Sequence, residues 1–179
     1  MLLFLQPLFG QELPSRIRGY KVHNDRLTIA EAGSLKGRDP STDIIVKLGD
    51  PVIAEMGLLS AVIEIGGEFL SARQKGRIDF LRFHDIKVNG IAVEVDEYAH
   101  AFAFEKQKWS RLDNPLRARI SFVKSPKVLA GQLFSSQPEL LVTGTAFAFG
   151  KFRRYGFGFK RVVPIAFELR IRNPLAASQ

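Results

Sequence analysis

The feature that most constrains the fold is the stretch 140–172, in which Leu140 to Phe149 and Phe157 to Ile171 read as two long strands. On the second arm Phe157, Phe159, Val163, Ile165, Phe167, Leu169 and Ile171 fall at every second position, interrupted at Arg161, while Lys160, Glu168, Arg170 and Arg172 occupy the positions between. Successive side chains of a strand point to opposite faces, so this pattern gives one apolar and one charged face to an extended segment. The arms are joined by the basic, aromatic stretch Gly150-Lys151-Phe152-Arg153-Arg154-Tyr155-Gly156. Two long antiparallel strands and a core rich in phenylalanine are the first expectation.

A chain of 179 residues with 46% hydrophobic content is long enough for one well-filled core and short for two. We read residues 13–179 as one domain. The formal net charge of +8 turns the surface toward acidic partners, or keeps a β protein soluble and its strand edges apart. With no cysteine, disulfides and thiolate metal sites are excluded. Met1 to Gly10 is apolar without a basic leader, so residues 1–12 read as a signal remnant or as a tail of the domain. This leaves the compartment open, leaning toward periplasm or secretion over cytoplasm. No window reaches the roughly 18 apolar residues of a membrane helix.

Along the chain, Tyr20, Val22, Leu27 and Ile29 mark a first strand region around a turn at Asn24-Asp25, and Ile44, Val46 and Leu48 alternate into Gly49-Asp50-Pro51. Val52 to Phe69 is ambiguous between helix and strand in its first half and reads as strand in its second. The clearest local signal is Ile86-Lys87-Val88-Asn89-Gly90-Ile91-Ala92-Val93. Asn-Gly supplies the two positive-φ residues of a type I′ turn, which pairs Val88 with Ile91 and Ile86 with Val93. Ile78, Phe80 and Leu81 to Phe83 extend the first arm; Phe102 and Phe104 mark another strand, and Arg117 to Val123 another with both arginines outward. Ser125-Pro126 caps and starts a short helix with Val128, Leu129 and Leu133 as its apolar stripe. The sum is a mainly β fold, an antiparallel β-sandwich of seven to nine strands with one short helix.

No reaction centre emerges from the residues. His23, His84 and His100 stand singly, away from the spacings that bring two imidazoles to one metal. Glu94, Asp96 and Glu97 form a carboxylate group, but the first two share a strand face that the third does not, and no oxygen-rich calcium loop surrounds them. There is no nucleophile elbow and no phosphate-cradling glycine loop before a helix. Trp109, among Lys106, Lys108 and Arg111, either stacks on a ligand or closes a sheet edge. The best binding candidates are Lys151, Phe152, Arg153, Arg154, Tyr155, Lys160 and Arg161, cations interleaved with rings that suit phosphates, bases or a lipid interface, or else a solvated hairpin end with its rings folded onto the core. No catalytic residue, metal ligand or cofactor is assigned.

The order of elements resembles the type-2 late embryogenesis abundant proteins, built on the water-stress and hypersensitive-response domain. The resemblance lies in Phe83-His84-Asp85-Ile86-Lys87-Val88-Asn89-Gly90-Ile91-Ala92-Val93, in the strand Ala118 to Val123, in the helical segment, and in Leu141-Val142-Thr143-Gly144-Thr145-Ala146. It covers roughly residues 58–172. Where that family carries Asn-Pro after an early strand, this chain has Gly66-Gly67, with Asn-Pro at Asn114-Pro115 and Asn173-Pro174. The resemblance implies an immunoglobulin-like or fibronectin-like sandwich, associated with desiccation or other stress and without catalytic residues.

Three functions are therefore in view. One is a non-enzymatic stress-protection or interaction domain, monomeric, whose cationic surface meets anionic membranes or client proteins. Another is a carrier of lipid or another apolar ligand in a groove between the sheets. The last is a polyanion-binding module that uses the tip at 150–161, with nucleic acid the less favoured partner.

Overall fold

The structure, a computed structural model, describes residues 14–23, 29–31, 44–121, 137–154, 157–174 and 176. Among them the chain is mainly β. In order the strands are β1 (Arg16–Ile17), β2 (Tyr20–Val22), β3 (Ile29–Glu31), β4 (Ile44–Leu48) and β5 (Val52–Met56). Then come β6 (Ser60–Ile65), β7 (Gly67–Ser71), β8 (Lys75–Val88), β9 (Ile91–Ala92) and β10 (Glu94–Val95). The last five are β11 (Phe102–Phe104), β12 (Trp109–Arg111), β13 (Leu116–Ser121), β14 (Glu139–Arg154) and β15 (Phe157–Arg172). The Asn24-Asp25 turn, Phe122-Val123 and the helix expected from Ser125 lie outside the described residues.

One large sheet runs in the order β1-β2-β15-β14-β8-β11, with β9 against β8, and two four-stranded sheets, β10-β13-β6-β5 and β12-β7-β4-β3, accompany it. Among the described residues pairing is antiparallel apart from two short parallel ladders, β15 with β2 and β3 with β4, and an isolated parallel bridge between Ser71 and Lys106. Ile63 and Ile120 of one small sheet pack on Val88, Leu140 and Ile171 of the large one. Phe69 and Ile44 of the other pack toward Ile78, Ala148 and Ile165. The arrangement is sandwich-like, with the large sheet as one layer and the two small sheets over its inner face. It has more strands than the expected seven to nine because several alternating stretches break into short pieces that serve different sheets.

The Asn-Gly hairpin forms as expected. Asn89 and Gly90 have φ of 49° and 82°, Val88 pairs with Ile91, and the Val93 amide donates to the Ile86 carbonyl at 2.9 Å. Asn89 also ties the turn to β14, its amide donating to the Leu141 carbonyl and its Oδ1 accepting from the Leu141 amide. The ambiguous segment after Pro51 is strand on both sides of a turn: β5 and β6 form a hairpin closed by the Gly57 amide on the Ser60 carbonyl. Pairing with β6 decides what local periodicity left open.

β14 and β15 stay paired from Glu139 opposite Arg172 to Arg154 opposite Phe157. The stretch Lys151 to Arg154, read from sequence as part of a joining tip, is thus strand, because its alternation of charge and ring continues that of the arm. Pro164 is accommodated because β2 pairs with β15 only at Arg161 and Val162, leaving that edge without a ladder at Pro164 among the described residues.

Two bulges shape the large sheet. Between Thr143 and Thr145 of β14, and again between Phe149 and Gly150, the partner β8 carries one extra residue. In both places a glycine of β14 faces the enlarged segment. A Cβ on Gly150 would collide with the Arg77 carbonyl oxygen and come within 3.1 Å of the Ile78 Cα; one on Gly144 would meet Ile86. Bulges bend a strand and raise its local twist, so this paired device curves β8 and β14. Each also switches the parity of β8, which is why Phe80 lies on the face opposite Ile78 and Leu81.

Candidate functional site

Even-numbered residues of β14 and odd-numbered residues of β15 face the small sheets. Between the three sheets lies a cavity of about 250 Å³. Its wall is formed by Leu81, Ala146, Ala148 and Ile165 on the large sheet and by Ile44 and Phe69 opposite, and continues past Val88, Val142 and Ile120. The void exists because the inner file of β14 is small in its middle, with Gly144, Ala146 and Ala148 where the outer file has Thr145, Phe147 and Phe149. An apolar wall gives water no hydrogen-bond partners, so such a space is one that apolar ligands enter. Its size lies between an engineered cavity of about 150 Å³ that takes benzene and the ~300 Å³ at which small-molecule pockets begin.

The polar residues along the cavity are Glu68, Ser71, Arg73 and Gln74, on β7 and the turn after it. Glu68 stands in register with exposed Lys47 and Arg111, in the file that faces away. Ser71 is buried, and its Oγ accepts from the Gln74 amide at 3.3 Å. Arg73 and Gln74 are exposed at the rim. The cavity is therefore greasy through its length and polar at one end.

The sequence-based candidates divide between the two faces of the β14–β15 hairpin. Phe152 turns inward, half-buried, onto the cavity wall with its ring 6.2 Å from that of Phe104. It belongs to the core. Lys151 and Arg153 are exposed on the outer face. Lys160 is exposed too, its Nζ 4.3 Å from the centre of the Tyr20 ring. Arg161 is half-buried, 2.8 Å from His23 Nδ1 and 5.4 Å from the Phe159 ring. The strand placement of Arg154 is described but its side chain is not, and Tyr155 lies outside the described residues.

The outer face holds a second, tight cluster. Phe80 stacks on Phe149 at 4.3 Å, and Tyr20 meets both edge-on. The Tyr20 hydroxyl donates to Asp79 at 2.9 Å. Burial, then that hydrogen bond and the Asp79 charge, push the hydroxyl above its ordinary pKa. Asp79 is the bulge residue between Ile78 and Phe80, so the bulge aims its carboxylate at β2.

The carboxylate group near Glu94 does not converge. Glu97 pairs with Arg18 at 3.0 Å and Arg82 at 3.3 Å, and Glu94 is exposed on β10. His84 and His100 lie against the rings of Phe147 and Tyr98. Trp109 is 45% exposed on β12, at the edge of its sheet among the described residues. No helix among the described residues is long and apolar enough to cross a membrane.

The cavity was not assigned to residues from sequence. A void depends on what faces it across the sheets; the one local signal was the small inner file of β14.

No family model and no curated protein matches this chain. A crystal structure of a protein from Archaeoglobus fulgidus is similar at a TM-score of 0.36 and 7% identity, over 68% of this chain and 93% of that one. Likeness at that level carries neither fold nor function across.

Proposed function

We propose that this protein binds a slender apolar ligand, an acyl chain or a molecule of similar width, between its large sheet and the two small ones. The observation that supports this is the cavity of about 250 Å³ with its apolar wall and its polar rim at Ser71, Arg73 and Gln74. Contact with aliphatic and aromatic walls supplies the affinity, through apolar area withdrawn from water at roughly 25 cal/mol per Å². The rim leaves a head group in contact with solvent. A stress-protection role, which the family resemblance implies, calls only for a stable closed scaffold, and the cavity is what turns our preference from it.

The test has two arms. Organic extraction and mass spectrometry of the purified full chain should recover a stoichiometric single-chain lipid, and a fluorescent fatty acid should bind saturably. Ala146→Phe, which places a ring in the void, should abolish the fluorescent signal while leaving the far-UV spectrum and cooperative unfolding intact. Absence of both a co-purified lipid and saturable probe binding in the parent protein would overturn the reading.

A further inference from the structure

The outer face of the large sheet carries an arrangement of cations that folding alone disfavours. Lys151 lies directly opposite Lys160 on β15 and directly opposite Arg77 on β8; one rung further along, Arg153 lies opposite Lys75. All five are exposed. Like charges directly opposite each other across a ladder are destabilising, and here three such pairs occupy adjacent rungs. The nearby acid is Asp79, 3.7 Å from Arg77 and engaged by the Tyr20 hydroxyl. Lys75, Lys151 and Arg153 have no acidic partner among the described residues. An arrangement that costs stability and is not neutralised from within is explained by an anion from outside.

We propose that this double rung docks the protein on an anionic lipid surface. One observation favours a membrane over a nucleic acid. The cations spread over three neighbouring strands of one sheet face, a broad array rather than a groove that tracks a backbone. Each cation near such a surface strengthens partitioning about fivefold. The inference stands whether or not the cavity holds a ligand.

The experiment is flotation of the full chain with vesicles of phosphatidylcholine alone or with about 30 mol% phosphatidylserine. Binding should require the anionic lipid and fall with salt. Lys151→Gln with Arg153→Gln should weaken it about twenty-five-fold, two cations' worth; Lys47→Gln with Arg119→Gln, the same charge change on the small sheets, should weaken it far less. Lys151→Gln alone should melt at or above the parent temperature, since it removes two opposed pairs, and a lower melting temperature would overturn the reading of the rung as a functional cost. Equal losses from the two double variants, no preference for anionic vesicles, or a duplex oligonucleotide that binds more tightly than vesicles would each overturn the proposal.

Discussion

The two faces of the large sheet are made by the same strands and are opposite in character. Outward, Phe80, Phe149, Tyr20 and Val162 close into a cluster in which Val162 is fully buried and Phe149 1% exposed. Inward, Ala146, Ala148 and Ile165 stand before a void. Both the ring cluster and the cavity lining are apolar; what separates these two regions is side-chain volume. Rings stacked at van der Waals contact fill one side, whereas alanines opposite β-branched and phenylalanine side chains leave the other unfilled, each lost contact forgoing dispersion energy. Such asymmetry allows a rigid wall to carry a space that a ligand can enter.

The sharpest way to break this comparison is truncation on the filled side. Phe149→Ala should destabilise the protein by about 3–5 kcal/mol, because Tyr20 and Phe80 both lose their contact and the site is held by β-sheet on either side. Adding volume inward, as in Ala146→Phe, should cost less than the ~1–3 kcal/mol typical of overpacking, since the ring meets open space. Urea midpoints at unchanged slope give both numbers. If Phe149→Ala proved the milder change, the two faces would not differ as described.

A smaller effect tests the bulges that curve the wall. Gly150→Ala should cost about 1–3 kcal/mol, because its Cβ meets backbone of β8 that no side-chain rotation can move away. Gly158→Ala, on the neighbouring strand with nothing within 4 Å of its Cβ, should stay within about 0.5 kcal/mol of the parent. Equal costs would mean that the close approach at Gly150 does not set the curvature.

The parts legible in the sequence are those fixed by neighbours along the chain. Asn89-Gly90 specified its own turn and register, and the alternation of β15 gave its strand and its faces, with β14 as its partner across the joining stretch. The mainly β class followed from these. What escaped depends on residues far apart. Asp79 and Asp85 look like ordinary polar positions of a strand, and only pairing with Gly150 and Gly144 makes them bulge positions that flip the facing of Phe80. β5 looked half-helical until β6 paired with it. Among the candidate side chains, Phe152 was drawn into the core while Lys151 and Arg153 were left on the surface, a division that the alternation already contained once the strand was known to run through Arg154.

The finest distinction concerns how the filled face is locked. Tyr20→Phe keeps the ring and removes the hydroxyl that donates to Asp79, so at neutral pH it should cost about 1 kcal/mol. The difference should depend on pH in a definite sense. An unfolded tyrosine ionises near its ordinary value of about 10, whereas the folded hydroxyl resists, held up first by burial and then by Asp79. Below that ordinary value both states keep the proton and the contribution is complete. Above it the unfolded state binds fewer protons than the folded one, so stability falls as pH rises until the folded hydroxyl also ionises. The parent should therefore lose its advantage over Tyr20→Phe as pH climbs past about 10, a comparison in which the lysines, common to both proteins, cancel. An advantage that stayed constant, or grew, across that window would mean that the hydroxyl is not buried against the carboxylate, and the outer face would then be closed by ring packing alone.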